Sequence, residues 1–482
     1  MKKLISSFLL SLIPLTLGEA TFAEEMHDHN AMHNNSSFSL NSPMQRDGSG
    51  TGWLPDSSPM YMYMWQKDSW GFMAHGSAFF RYNNQNILNT SADKRGGSNF
   101  DIPDWLMFSV HNKINDKNLI SFRSMLSLDQ LTMGGAGYPL LFQSGETWKG
   151  KELVDKQHPH DLFSELSLTY SFAPDKNNNF FVYLGLPGEP ALGPTAFMHR
   201  LSAFNNPNAP LSHHLQDSTH IVFGVATLGY QYQNIKIDGS FFSGREPDEN
   251  RFNIDLPKFD SYSARATVNI GSDFNLQASY GFIKEPEPVH PGIDVQRTTL
   301  SVLHNKMFDQ NTNLASAFVI GINMPTGHVA QSSVLIESEL EFYKNFLYLR
   351  GEYLQRRAEE LAITSVNLEH LFNAFALTFG GSKTLFSFNK LDLNLGAQVT
   401  VNPIQKDLQD IYGNIPFSAQ VFLRPFPEKM LHENNKIQEE NMNHHMHEQK
   451  KEKPEHHHQM KHETKSETIS LIGADSIEEA CP

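Results

Sequence analysis

Cysteine is almost missing from this chain of 482 residues: Cys481, one place from the end, is the only one. That excludes an internal disulfide framework, a cysteine-based zinc site and covalent haem attachment, which needs paired cysteines beside a histidine. Long apolar runs are scarce too. After residue 23 no stretch reaches the roughly 18–20 apolar residues that a membrane helix requires, so a helical membrane protein is excluded. Positive charge is in deficit, with 38 Lys and Arg against 53 Asp and Glu and a formal charge of −15. Such a balance argues against a nucleic-acid partner and suits cations. No Gly-X-Ser-X-Gly elbow occurs, so an enzyme has the least support, although Ser212 and Ser218 stand close to His213 and His220.

What is present begins with an export signal. Lys2 and Lys3 precede an apolar run over 5–17, followed by small residues up to Ala23 and then Glu24-Glu25. This is the order of a Sec signal peptide cleaved after Ala23. Because Lys2 and Lys3 outweigh Glu19, cleavage takes the formal charge from −15 to −16.

From residue 73 to 426 apolar and polar positions alternate, for example over 163–172, 220–232, 262–270, 298–307 and 391–401. Period two is the signature of a strand with two unlike faces. Tight polar links such as 115–118, 233–234, 271–273 and 344–345 interleave with long segments such as 129–162, 187–219, 243–261 and 356–371. Outer-membrane barrels alternate short periplasmic turns with long external loops in this way. The expected fold is therefore all-β, a transmembrane antiparallel up-and-down β-barrel of about 16 strands with disordered tails at both ends. An even strand number places both termini in the periplasm and the long loops at the external mouth. Tyr170, Tyr183, Tyr230, Tyr232, Tyr262, Tyr280, Tyr343 and Tyr348 near the strand ends fit the aromatic girdles of such a barrel. The expected organisation is a signal peptide (1–23), a periplasmic His/Met-containing segment (24–72), the barrel (73–426) and a disordered periplasmic tail (427–482). The last strand ends on Phe426, as many such barrels end on an aromatic, but here a tail follows.

The tails carry the first metal-binding candidates. His27, His29 and His33 stand near the mature amino terminus, and His444, His445, Met446, His447, His456, His457, His458 and His462 in the carboxyl-terminal tail. Eleven of the 23 histidines fall in these two short segments. Imidazole suits copper, zinc and nickel, whereas thioether selects Cu(I), so the mixture favours copper in either oxidation state, with zinc as the alternative. The competing reading is a polar linker in which histidine is incidental. A further group, Met60-Tyr61-Met62-Tyr63-Met64-Trp65, would line three thioethers along one side of an extended chain. Apolar packing at the periplasmic rim, or an additional strand, is the simpler account of it.

The densest polar constellation falls on the long segments. Its candidate ligands are His158, His160, Asp161, His199, His213, His214, Asp217 and His220. The His-X-His and His-His spacings supply donors without defining a geometry. The alternative is a structural network, with Arg200, Arg245 and Arg251 paired to Glu189, Glu246 and Asp248 so that loops fold inward and narrow the pore.

The stretches Gln157-His158-Pro159-His160-Asp161, Gly188-Glu189-Pro190-Ala191-Leu192-Gly193-Pro194, Ser212-His213-His214 and Gly244-Arg245-Glu246-Pro247-Asp248-Glu249-Asn250-Arg251 carry a resemblance. Across residues 60–425 the chain resembles a group of uncharacterised Gram-negative outer-membrane proteins often associated with copper and heavy-metal resistance clusters. The resemblance implies a setting and no ligand set. Together these features point to a porin-like outer-membrane barrel that takes part in handling copper or another transition metal, with no tightly bound cofactor. Lipid, metal ions and a periplasmic metal carrier are its expected partners. A general or solute-specific porin without a metal role is the rival, and an outer-membrane enzyme using the loop histidines comes third.

Overall fold

The computed structural model describes residues 36–89 and 95–430. The strands that begin the wall are β1 (Tyr63–Lys67), β2 (Trp70–Ala78), β3 (Phe80–Gln85), β4 (Gly97–Asp101), β5 (Asp104–Asn115) and β6 (Asn118–Leu126). A separate hairpin of β7 (Tyr138–Trp148) and β8 (Lys151–Gln157) comes next. The wall resumes with β9 (Phe163–Phe172), β10 (Asn178–Gly185), β11 (Val225–Tyr232), β12 (Ile235–Phe242), β13 (Ser261–Ile270) and β14 (Phe274–Ile283). It finishes with β15 (Val295–Asp309), β16 (Thr312–Pro325), β17 (Gln331–Phe342), β18 (Asn345–Arg357), β19 (Leu371–Phe388), β20 (Leu391–Val401) and β21 (Phe417–Pro427).

Nineteen of these strands form one antiparallel sheet, and it closes on itself where β21 pairs with β3, Val421 opposite Tyr82. β2 and β3 are halves of one wall strand interrupted at Phe79, and β4 and β5 halves of another interrupted at Ile102 and Pro103. With β1 counted as a flap folded onto β2, the wall has 16 strands. Closure leaves no sheet edge, the condition for carrying strands through lipid.

The alternation along each strand is inverted relative to a soluble sheet. On β12, Lys236, Asp238 and Ser240 are buried inside while Ile235, Ile237 and Phe241 are exposed outside. On β11, Leu228 is 68% exposed beside Thr227 at 1%. An apolar outer band around a polar interior is the surface of a membrane-spanning barrel. The tight turns explain the hairpins. Tyr343 (φ 46) with Lys344 (φ 58), and Asn389 (φ 50) with Lys390 (φ 61), are two-residue loops with both residues left-handed, the conformation whose twist matches antiparallel partners.

Several details depart from the sequence expectation. Tyr183 and Tyr348, placed among the girdle aromatics, instead point inward, where their hydroxyls donate to Glu165 (3.0 Å) and Gln398 (2.9 Å). A one-residue change of phase within a strand moves a side chain to the other face, so proximity to a strand end does not settle its side. The Met60–Trp65 stretch contributes β1, the additional strand, and it brings Met60 and Tyr61 against Met430 and Lys429.

The largest departure concerns the lumen. Residues 36–59, grouped above with the periplasmic segment, run inside the wall: Thr51 donates to Asp238 (2.7 Å), Asn269 to the Leu54 carbonyl (2.9 Å) and Asn305 to that of Ser57 (2.7 Å). The segment 186–224 also folds inward rather than standing at the external mouth. It is fastened around the circumference. Ala191 N–H donates to Ser240 on β12 and Gly193 N–H to Ser279 on β14. Asn205 holds Glu339 on β17, and Arg350 on β18 donates to the Asn208 carbonyl (2.9 Å).

Candidate metal centre

Two segments far apart in sequence meet inside the barrel. His158 and His160 follow β8, while His213 and His214 sit on α1 (His213–Gln216), a single turn within the inward loop that also carries His220. The five imidazoles form one buried, contiguous cluster. Ring centroids are 5.4 Å apart for His158 and His214, 5.2 Å for His213 and His214, 4.9 Å for His213 and His220, and 5.4 Å for His160 and His220. Nitrogens of His158, His213 and His214 all lie within 4.8 Å of one another.

The hydrogen bonds sort the two nitrogens of four of the rings. Nδ1 of His160 lies 2.7 Å from Asp129, that of His213 2.5 Å from Asp217, and that of His220 2.8 Å from the Asp217 carbonyl. Nδ1 of His158 is 3.0 Å from Glu146 and 3.2 Å from the Pro159 carbonyl. These neighbours are carboxylates and carbonyls, which only accept, so Nδ1 bears the proton and the lone pair sits on Nε2. The Nε2 atoms of His158, His160, His214 and His220 are buried with no partner among the described residues. Leaving a buried polar atom unpaired costs about 1–3 kcal/mol, and of these four His158 and His214 belong to the group of three imidazoles whose nitrogens converge. A histidine whose Nδ1–H is held by an acceptor, with Nε2 aimed at an ion, is the usual arrangement of a metal ligand.

Electrostatics favours the ligand form. Burial pushes the His158, His213 and His220 imidazoles below their ordinary range and His214 down to about 4. His160 goes the other way: burial works against its charge, but the bond to Asp129 wins and raises it. Burial opposes the Asp217 charge as well, yet His213 and Arg200 together hold its carboxyl well below the usual range. Gly145 allows the approach of the β7–β8 hairpin. Its φ is +113, and a Cβ there would fall 2.6 Å from the His214 ring.

Not every candidate joins the cluster. His199 lies apart, its ring 4.9 Å from Trp105 and 5.7 Å from His75. Asp161 pairs with Arg251 (3.1 Å), and Asp217 backs His213 while pairing with Arg200 (2.8 Å). Inward folding of the loops holds, but the ion-pair partners differ from those expected. Arg200 reaches Glu337 on the wall (2.8 Å) and Arg251 reaches Glu146. Wall carboxylates are remote in sequence, so loop composition alone cannot reveal these pairs. Glu146 and Asp129, which orient two of the imidazoles, share the segment 129–162 with them, but only the folding of that segment brings them together. A second group, His328, Glu359 and Glu369, is more exposed and has the Arg357 guanidinium 2.6 Å from the His328 ring, a cation where an ion would sit. The tail residues His27, His29, His33, His444, His445, Met446, His447, His456, His457, His458 and His462 lie outside the described residues.

No family model matches the chain, and no curated protein matches it in sequence. Among solved structures it is similar to the anion-selective porin from Comamonas acidovorans, with 8% identity and a TM-score of 0.45 over 74% of this chain and 99% of that one. It is also similar to Salmonella typhi OmpF in complex with daunomycin (10% identity, TM-score 0.45, 75% and 100% covered). A third is the loop L8 deletion mutant of OmpT, an outer membrane protein of Vibrio cholerae (8%, 0.43, 74% and 100%). These likenesses are too slight to speak to function.

Proposed function

We propose that this protein is a barrel of the Gram-negative outer membrane, exported by the Sec route with both termini periplasmic, that handles a transition metal ion, copper or zinc, on imidazoles inside its lumen. The carrying observation is the convergence of buried His158, His213 and His214, whose nitrogens lie within 4.8 Å of one another and two of which, His158 and His214, leave Nε2 without a partner among the described residues. Neutral imidazoles backed by carboxylates suit Cu(II) or Zn(II), with Asp217 orienting one ring and Asp129 another. The tail histidines would collect the ion on the periplasmic side. A wide general porin is less well supported, because residues 36–59 and 186–224 occupy the lumen.

The test is metal stoichiometry and X-ray absorption on the full chain with its tail histidines changed to asparagine. The expected result is one tightly held Cu(II) or Zn(II) in a nitrogen environment. That ion should be lost in His213→Ala/His214→Ala and bound about 10–100-fold more weakly in Asp217→Asn, where Arg200 keeps Glu337. Unchanged binding in the double variant would sink the proposal.

A further inference from the structure

The inner face of a barrel wall is polar, and here most inward positions are Ser, Thr, Asn, Arg or Glu. Among the apolar exceptions, such as Phe242, Leu335 and Phe372, one place is rich in methionine. Met73 on β2 and Met107 on β5 both point inward, and His75 is the direct cross-strand neighbour of Met107, its Nε2 3.1 Å from the thioether sulfur. The same place receives methionines from three other segments: Met44 from the lumen-lining segment, Met60 and Met62 from the approach to β1, and Met198 from the inward loop. The loop brings His199 as well, 5.7 Å from His75 between ring centroids. Between them lies a cavity of about 100 Å³. A cavity of that size has room for an ion with its ligands drawn in.

Apolar packing would explain methionines here only if the site were filled, and leucine or valine would serve that end with better-defined rotamers. Thioether sulfur is a weak donor to hard or borderline cations and a good one to a soft monovalent ion. The carboxylates that back the five-imidazole cluster are absent from this lining, whose charged residues are Asp47, held by Ser36 and Ser37, and Arg123, paired with Glu165. We infer that the six methionines with His75 and His199 form a second, separate metal site that takes a soft monovalent cation, Cu(I) or its analogue Ag(I). The inference does not rest on the imidazole centre, which shares no residue with this chamber. It absorbs the Met60–Trp65 motif, whose thioethers would otherwise have no chemical part.

The experiment uses the full chain with the tail residues Met26, Met32, Met442, Met446 and Met460 changed to leucine, loaded with Cu(I) under reducing conditions. Affinity is read by competition with a Cu(I)-specific chelator, and ligation by copper X-ray absorption. The expected result is sulfur scattering at about 2.3 Å, the length of a metal–sulfur bond. Met73→Leu/Met107→Leu/Met198→Leu takes away three of the six thioethers and should lower the sulfur count and weaken Cu(I) binding by at least ~100-fold, more than loss of a partner behind a ligand brings. Leucine and methionine are close in volume, so the wall should still assemble. Should the triple variant not assemble, Met107→Leu alone must lower the sulfur count. Nitrogen-only Cu(I) in the parent chain, or a sulfur count and affinity that these changes leave undiminished, overturns the inference. His213→Ala/His214→Ala must leave the sulfur signal intact, which separates failure here from failure of the imidazole centre.

Discussion

On the two faces of the wall, neighbouring residues live in opposite solvents. Leu228 and Phe241 face outward, while beside them Thr227 and Ser240 face inward with their hydroxyls 2.7 Å apart. The outer face is held by transfer of apolar area into lipid and depends on no particular neighbour. The inner face is held by specific pairs. Arg200 on the inward loop bridges Asp217 and Glu337, Glu337 also takes Arg350, and Arg81 holds Asp101 together with the Pro207 carbonyl and Asn208. What differs is therefore how each face fails: the outside by composition, the inside one bond at a time.

The sharpest break should come inside. Arg200→Ala leaves the Asp217–Glu337 bridge without its cation, and truncating one partner of a buried pair costs about 3–5 kcal/mol. The expected outcome is a loop 186–224 open to protease and a larger single-channel conductance, from a wall that still resists heat. A loop as protected as in the parent would show that the lumen segments are not held by ion pairs. Next is Leu228→Arg on the lipid face, expected to cost about 2–4 kcal/mol of barrel stability near the bilayer midplane while leaving loop protection unchanged. Equilibrium refolding into lipid vesicles reads that value, and a neutral result would remove the lipid-facing assignment of β11.

The smallest effect is a pH dependence at the β7–β8 hairpin. His290 is raised from 6.5 to about 10 by hydrogen bonds to Glu152 on β8 and Glu287, each 3.1 Å away. A raised imidazole stabilises the docked hairpin fully below pH 6.5, where both docked and free forms carry the proton. That contribution falls as pH rises from 6.5 and is gone above about 10. Hydrogen exchange in β7 and β8 should therefore quicken over that window, whereas β11 and β12, whose outer faces carry no carboxylate–imidazole pair, should show no such step. His290→Gln should abolish the step.

Legibility in the sequence followed the same divide. The wall could be read because period-two alternation and paired turn residues such as Asn389-Lys390 are local, and each strand repeats them. Of the centre, the five histidines were visible as ligand-bearing stretches, but their convergence was not. His199 has the same composition signal as His213 and ends in the other cavity, next to Met107 and Trp105. His75 and Met107 could have been suspected from one cue, an imidazole and a thioether sharing the phase of the inward Ser77 and Ser109 on their strands.

By itself, then, the chain determined that it would be a closed barrel of 16 strands with a polar interior, because strand phase and turn conformation are encoded within a few residues. Only the tertiary structure decided what the interior contains. A loop of nearly 40 residues, 186–224, could have stood outside in water. It lies within because wall arginines and carboxylates on β3, β13, β15, β17, β18 and β21 offer its polar groups partners that no local pattern records. That inward course turns scattered histidines into a cluster with shared, unpaired nitrogens, and gathers methionines from five segments around one cavity.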